Sequence, residues 1–166
     1  MESEYLELVI NNRLIKINKN DSMDVWRWRD YIKTPDWVKM KPCLTVTLKG
    51  YKSYTITLKN KRIILSRVIY KAHNPTWDIT DGSKNNFVDH INNNSIDNRI
   101  ENLRILTHQE NQWNRNSKGY HFCKSRKKWR ARIKVGDKNI FIGYFKEEEE
   151  AKQAYLTAKE KYHIIK

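Results

Sequence analysis

Four polar side chains in one short stretch of the sequence have the types and the spacing that phosphodiester chemistry requires. Asp89 and His90 are adjacent, and Asn102 and Asn111 follow them. A carboxylate is a hard oxygen ligand of the kind that Mg²⁺ prefers. Because adjacent residues of a strand project to opposite faces, Asp89 can hold a metal ion while His90 stays off the metal and activates a water molecule. The stretch therefore predicts a small metal-dependent nuclease.

The residues around this pair follow a characteristic order. An apolar run that contains Asp-His is followed by the turn-rich loop NNNSIDN and then by ENLRIL, which we interpret as the opening of a helix. Over residues 63–114 this order resembles the HNH nucleases, and among them the homing endonucleases of phages and introns. The resemblance implies a ββα-metal fold, in which two short strands and a helix hold one divalent cation.

The resemblance also implies a role for each residue. His90 would be the general base and Asp89 one metal ligand. Asn111 would be the second ligand through its amide oxygen, and Asn102 would hydrogen-bond within the loop and hold His90 in orientation. The expected ion is Mg²⁺, with Mn²⁺ as the alternative, and a neutral amide should hold it loosely until a DNA phosphate completes the coordination. His108, about one helical turn before Asn111, is the rival for the second ligand.

The composition favours a nucleic-acid partner. The chain has 166 residues, with 33 Lys and Arg against 19 Asp and Glu, and its net charge of +14 attracts polyphosphates. The excess is concentrated near the C-terminus, where residues 113–166 include 15 basic and 6 acidic side chains. We expect double-stranded DNA as the partner, no membrane, no small-molecule cofactor, and a monomer or weak dimer.

Several features that would indicate other classes of protein are missing from the sequence. No apolar run approaches the ~20 residues of a membrane span, and the acidic residues 1–8 lack the basic and apolar regions of a signal peptide. Cys43 and Cys123 stand apart without a CxxC pair, so neither a structural zinc site nor a disulfide framework is expected. We therefore expect an intracellular, cytoplasmic protein, and the resemblance adds an origin in a phage, a virus or an intron.

The first 60 residues predict a β-rich module. Residues 6–17 favour a hairpin around the turn-prone pair Asn11-Asn12, and residues 44–48 and 51–58 favour a second hairpin around Gly50.

Tryptophans and arginines alternate between these two hairpins, in the string VWRWR. Trp26, Arg27, Trp28 and Arg29 have the chemistry to stack on bases and clamp phosphates. Tryptophans also fill the cores of small domains, and the sequence leaves both interpretations open.

A helix is predicted before the Asp-His pair. Residues 66–73 carry apolar groups at helical spacing, Ser66 is a suitable N-cap, and Asn74-Pro75 ends the helix. We expect this helix to support the metal site and His73 to be structural.

The last third of the sequence predicts a second module. Residues 119–122, 127–134 and 139–144 favour three strands, and residues 147–161 favour a helix with an apolar face. The strings KGYHFCKSRKKWRARI and IGYFKEEEEAKQAY resemble the APETALA2-like DNA-binding domains, over residues 118–163. That resemblance implies a three-stranded sheet in the major groove of DNA, backed by the helix.

The middle strand of this module separates basic from apolar residues. Trp129, Ala131 and Ile133 should face the helix, because side chains alternate along a strand. Arginine can read guanine through two hydrogen bonds, whereas lysine mainly contacts phosphates. We expect base readout by Arg130 and Arg132. The full set of predicted DNA contacts is Arg126, Lys128, Arg130, Arg132 and Lys134.

The sequence as a whole predicts an α+β protein of three domains. A small mixed, β-rich module covers residues 1–60, an HNH core with the ββα-metal fold covers 61–116, and a three-stranded antiparallel sheet packed on one helix covers 117–166. The expected activity is metal-dependent, site-specific DNA cleavage of the homing type, which leaves 5′-phosphate and 3′-hydroxyl ends and nicks as a monomer. Two other functions stay open, a DNA-binding regulator with a decayed nuclease site and a structured-RNA binder.

Overall fold

The computed structural model describes residues 3–30, 33–114 and 118–165. Within these ranges the fold is α+β, with four small sheets and three α-helices. The predicted α+β class is confirmed, while the ββα-metal arrangement of the core stays a prediction. The chain divides into two compact units, residues 1–107 and residues 108–166. No helix in the described ranges is long and apolar enough to cross a membrane.

A four-stranded antiparallel sheet opens the first unit. Its strands, in spatial order, are β1 (Tyr5–Ile10), β2 (Arg13–Asn18), β3 (Val25–Arg29) and β4 (Asp36–Met40). The hairpin predicted around Asn11 and Asn12 is present, and both residues have positive φ, 50° and 56°, as a two-residue type I′ turn requires. Ile15, Ile17 and Val25 are fully buried on one face of the sheet.

A three-stranded antiparallel sheet and a helix follow. They are β5 (Cys43–Val46), β6 (Lys52–Leu58), β7 (Lys61–Ile64) and α1 (Leu65–His73). The prediction that Ser66 caps the helix is wrong. Strand β7 runs directly into α1, so Ile64 occupies the N-cap position and Ser66 is buried within the first turn. The predicted end is correct, because the Asn74 N–H closes the helix on the Tyr70 carbonyl.

One hydrophobic core holds the first unit together. Helix α1 contributes Leu65, Val68, Ile69 and Ala72, at the spacing of a single helix face. They pack with the buried isoleucines of β2 and with Ile56 of β6. Residues on both sides of position 60 therefore share this core, while the three-domain division stays a prediction.

A two-stranded ribbon completes the first unit. It consists of β8 (Phe87–His90) and β9 (Leu103–Leu106), with a 3₁₀ turn at Ile100–Asn102 just before β9. The prediction that ENLRIL opens a helix is wrong for its second half. Leu103 and Leu106 are both buried, on opposite faces of the ribbon, and their separation along the sequence imitates helical spacing.

The second unit is a helix followed by a sheet and a second helix. Its elements are α2 (His108–Asn114), β10 (Tyr120–Cys123), β11 (Lys128–Val135), β12 (Lys138–Phe145) and α3 (Glu148–Tyr162). The three strands are antiparallel, with β11 in the centre. Ala131 and Ile133 of β11 are buried together with Ala151 and Tyr155 of α3.

Gly119 makes this packing possible. Its carbonyl accepts the Arg132 N–H at 2.9 Å, and a Cβ at this position would collide with the Tyr155 ring and lie 2.7 Å from the Arg132 carbonyl oxygen.

Gly119→Ala should therefore lower the free energy of unfolding of the second unit by about 1–3 kcal/mol, measured by hydrogen exchange of the β11 amides. Gly82→Ala is the matched control, because a Cβ there meets nothing within 4 Å. Equal effects of the two substitutions would contradict the packing argument.

Candidate active site

Strand pairing fixes the positions of Asp89 and His90. Both lie at the end of β8, where Asp89 pairs with Arg104 and His90 pairs with Leu103 across the ribbon. Directly opposed residues share a face and neighbours along a strand do not. Asp89 and Arg104 therefore lie on one face, and His90 and Leu103 on the other. Both site residues are largely buried, at 9% and 7% exposure, which limits their access to water.

Asp89 forms an ion pair with Arg104. The Arg104 Nε lies 3.1 Å from the Asp89 Oδ2, and the arginine side chain is one-quarter exposed. The guanidinium offsets the charge of a carboxylate that is nearly buried. Sequence reasoning missed Arg104. If residues 103–106 are taken as a strand paired with the Asp89 strand, the pairing places an arginine opposite Asp89, and this could have indicated the ion pair.

Asn98 holds the His90 ring. The distance from His90 Nε2 to Asn98 Oδ1 is 3.0 Å, and Asn98 is 3% exposed. Because an amide oxygen only accepts, this contact favours the tautomer in which Nε2 carries the hydrogen and the lone pair of the ring lies on Nδ1. In that tautomer His90 would take up a proton through Nδ1.

The amide nitrogen of Asn98 is buried without a hydrogen-bond partner among the described residues. Leaving such a group unsatisfied costs about 1–3 kcal/mol, so the position of Asn98 is explained by the ring that it binds rather than by stability. Sequence reasoning missed this residue, because Asn98 stands within an asparagine-rich loop that carries no spacing signal of its own.

Asn102 closes the loop between the two strands. Its Oδ1 accepts the Asn92 N–H at 3.0 Å, and its Nδ2 donates to the Asn92 Oδ1 at 3.0 Å and to the Asp97 carbonyl at 2.8 Å. Its own carbonyl accepts the Ile91 N–H at 2.9 Å. Asn102 thus connects the beginning of the loop, at Ile91 and Asn92, to Asp97 near its end, while Asn98 contacts the His90 ring directly. The catalytic contribution of Asn102 stays a prediction.

An ion pair stiffens the same loop. Arg99 donates from Nε and from a terminal nitrogen to the two Asp97 oxygens, at 2.9 and 2.8 Å. The Arg99 guanidinium, followed by the amide of Asn92, holds the pKa of the Asp97 carboxyl well below its usual range. The carboxylate therefore stays ionised in mildly acidic as well as neutral solution, and the loop keeps this contact there.

The predicted second ligand lies on another element. Asn111 is a half-buried residue of α2, which belongs to the second unit, whereas Asp89 belongs to the first. The rival ligand, His108, is exposed, and its Nε2 is 2.7 Å from the Gln112 amide nitrogen. That contact engages one of the two ring nitrogens of His108, so the choice between His108 and Asn111 stays open. The pairing of Asp89 with Asn111 stays a prediction.

The charged metal donors near Asp89 are few. Among the residues that the structure describes, no three His, Cys, Asp or Glu side chains come together as a metal site. A divalent ion at Asp89 would therefore take one carboxylate from this set and complete its shell with amide oxygens, water and substrate phosphate. Such a shell suits Mg²⁺, which keeps several waters and often binds through one or two carboxylates.

The outward face of β11 carries the predicted DNA contacts. Lys128, Arg130, Arg132 and Lys134 alternate with the residues that face α3, and Arg126 lies in the preceding turn. Two of the arginines lie over aromatic rings of β12. The Arg126 guanidinium is 4.9 Å from the Tyr144 ring and the Arg130 guanidinium is 5.7 Å from the Phe141 ring.

Sequence reasoning missed both aromatic residues. Phe141 and Tyr144 are an odd number of positions apart, so simple alternation predicts opposite faces. The register between β11 and β12 shifts between Ala131 and Arg132, so that Arg130 pairs with Tyr144 and Arg132 pairs with Phe141. This bulge brings both rings to the face that carries the arginines.

Comparison with known proteins identifies the central part of the chain. Residues 64–113 match the model of the HNH endonuclease family. The HNH domain thus runs from the end of β7 through α1, β8, the braced loop and β9 to α2. It includes Asp89, His90, Asn102 and Asn111, and the predicted resemblance to HNH nucleases is confirmed for this segment.

One relative from a phage extends the comparison. Protein 3.8 of Escherichia phage T7 is 31% identical over 77 residues, which are 39% of this chain and 64% of the phage protein. The chain therefore spans less than two thirds of the length of that relative. No solved structure gives a significant match.

The contact between Asn98 and His90 in the HNH domain can be tested directly. Asn98→Ala should weaken the preference of the His90 ring for the Nε2–H tautomer by about 1 kcal/mol, roughly fivefold, because the acceptor of that hydrogen is lost. Long-range ¹H–¹⁵N NMR correlations of the imidazole ring report the tautomer. Asn85→Ala, an exposed residue outside the braced loop, is the control. An unchanged tautomer in Asn98→Ala, or an Nδ1–H tautomer in the parent protein, would contradict the assignment.

Proposed function

We propose that the protein is a metal-dependent, site-specific DNA endonuclease of the homing type. The observation that carries the proposal is the geometry of the HNH domain at the end of β8. There Asn98 holds His90 with its proton on Nε2, and the neighbouring residue is the carboxylate of Asp89. A general base and a hard oxygen ligand on opposite faces of one strand are the two groups that hydrolysis of a phosphodiester requires.

The donor set fits a loosely bound divalent cation. Asp89 would hold it through a carboxylate oxygen and Asn111 through its amide oxygen, with Mg²⁺ as the expected ion and Mn²⁺ as the alternative. Bound there, the ion would supply positive charge for the developing charge on the phosphate and on the leaving oxygen. Arg104 keeps the Asp89 carboxylate in place before the ion arrives.

The chain's own residues would handle the proton. The Nδ1 of His90 accepts a proton from the attacking water, and the imidazolium keeps its Nε2–H bond to Asn98. Asn102 and Asn92 keep the loop closed beneath the ring. The water oxygen bonds to phosphorus and the bond to the 3′ oxygen breaks, so the products carry 5′-phosphate and 3′-hydroxyl ends. A monomer with one HNH domain would cut one strand.

The C-terminal sheet would select the site on double-stranded DNA. We propose an APETALA2-like role for it, with Arg130 and Arg132 reading bases and with Arg126, Lys128 and Lys134 on phosphates. The aromatic rings beneath Arg126 and Arg130 support this proposal, because they fix the planes of the guanidinium groups. The T7 relative supports an origin in a phage, and we expect the enzyme to act inside the host cell.

Cleavage of supercoiled plasmid tests the activity. In Mg²⁺ or Mn²⁺ the parent protein should convert plasmid to nicked circles, and EDTA should abolish the conversion. His90→Ala should lower the rate about 10²–10⁴-fold, because the general base is lost, while Asn85→Ala should leave it unchanged.

The other outcomes have definite meanings. Metal-independent cleavage, or a fully active His90→Ala variant, would contradict the proposed chemistry. Retained duplex binding without cleavage by the parent protein in either metal would indicate a DNA-binding regulator instead. Tighter binding to RNA hairpins than to duplex DNA would indicate an RNA-binding protein.

A second experiment separates reading from cutting. Arg130→Ala combined with Arg132→Ala should reduce discrimination between target and random duplex by about 1–3 kcal/mol for each bidentate base contact that is lost. Metal-dependent nicking at high enzyme concentration should persist. The matched control is Lys146→Ala with Lys161→Ala, which removes the same charge from two exposed positions, one just before α3 and one in its last turn. Loss of cleavage with specific binding retained would contradict the division of roles.

A further inference from the structure

A cleft lies in the first unit at the end of the four-stranded sheet. Its volume is about 190 Å³. Most of its walls are formed by residues of β2, β3 and the turn between β6 and β7. They are Arg13 of β2, Arg27, Trp28 and Arg29 of β3, and Lys59 and Asn60 of the turn. We call it the arginine cleft.

The arginine cleft has a strong excess of positive charge. Four of its lining residues are cationic and none of the lining residues is acidic. The carboxylate of Asp30 is 3.3 Å from Arg13, and that carboxylate is two-thirds exposed. The Arg27 side chain makes no hydrogen bond or ion pair with any residue in the part of the chain that the structure describes. Cations gathered in this way repel each other, and an anion in the cleft would relieve the repulsion.

The sheet pattern explains how these groups converge. Arg27 pairs with Ile15 and lies on the same face of β3 as the buried Val25. The methylene groups of its side chain therefore lie against the core, and its guanidinium lies at the end of the sheet. Lys59 and Asn60 have positive φ, 47° and 63°, in a tight turn that brings the β6–β7 hairpin against this end. The core face of β3 and the hairpin tip therefore place their cations in one recess.

Trp28 lies between Arg27 and Arg29 on β3, so its ring projects to the opposite face of the strand, behind the arginine cleft. Its ring packs edge-on against Trp37 of β4, with centroids 5.5 Å apart and planes at 69°. Such a pair holds its geometry better than a single exposed ring. This aromatic pair therefore supports, from its other face, the strand that carries Arg27 and Arg29.

We infer that the arginine cleft binds a backbone phosphate of the DNA substrate. The inference rests on the proposed function for its ligand, and it adds an anchor outside both the HNH domain and the C-terminal sheet. The volume corresponds to about six water molecules at roughly 30 Å³ each, which is room for a phosphate group but not for a base pair. The planar forks of the arginines match two phosphate oxygens at once. The contact carries no sequence information, so it strengthens binding to every duplex.

The salt dependence of DNA binding tests this inference. Binding of a fluorescent duplex is followed by anisotropy over a range of KCl concentrations, in EDTA so that no cleavage occurs. Each phosphate contact contributes about 0.9 to the slope of log K against log salt. Because the cleft holds one phosphate, Arg27→Gln with Lys59→Gln should lower the slope by about 0.9, and Lys59→Gln alone, in an exposed turn, should lower it by part of that amount. The matched control is Lys61→Gln with Arg62→Gln, which removes the same charges from exposed positions of β7 and should leave the slope unchanged.

The outcomes separate this inference from the proposed function. An unchanged slope in the cleft variants, or an equal fall in the control, would overturn the phosphate site even if the parent protein nicks plasmid with Mg²⁺. A parent protein that neither binds nor nicks DNA would overturn the proposed function and the cleft assignment together. If Arg27→Gln does not fold, Lys59→Gln alone decides between the first two results.

Discussion

The pairing of β8 with β9 is the constraint on which the candidate active site depends. Four cross-strand pairs, Phe87 with Leu106 through His90 with Leu103, fix which residues face each other. A slip of one residue would turn Asp89 away from Arg104 and exchange the faces of every side chain in the ribbon. The buried leucines at the two ends of β9 resist such a slip, because it would move each of them to the other face of the ribbon and out of its present packing. Hydrophobic burial therefore sets the position of the polar chemistry.

The loop between these strands fixes the orientation of the His90 ring. Asn102 hydrogen-bonds to the Asp97 carbonyl, Asp97 and Arg99 form an ion pair, and Asn98 contacts the His90 ring. Each of these contacts joins residues no more than eight positions apart in the sequence. Helix α1 supports the ribbon through packing and through Arg67, whose guanidinium donates to the Asn86 carbonyl directly before β8 at 3.1 Å. The division of labour explains why the polar residues cluster in one loop and the apolar residues lie beneath it.

Some of this structure could be predicted from the sequence and some could not, for physical reasons. The Asn11-Asn12 hairpin and the end of α1 were predictable, because local backbone preferences decide them. The strand β9 was not, because two leucines three positions apart fit a helix as well as a ribbon buried on both faces. Arg104 and Asn98 gain their meaning only from partners that the folded register supplies. The rings of Phe141 and Tyr144 share a face only because of a bulge, which alternation does not reveal.

The same bulge has a thermodynamic consequence for the C-terminal sheet. An arginine on an open strand samples many rotamers, and fixing one of them on binding costs about 0.5–1.5 kcal/mol. Arg126 and Arg130 already rest against aromatic rings, so part of this ordering entropy is lost during folding rather than at the encounter with a ligand. The extra residue in one strand thus moves part of the entropy loss of these arginines from the binding step to the folding step. There the buried core of the unit offsets it.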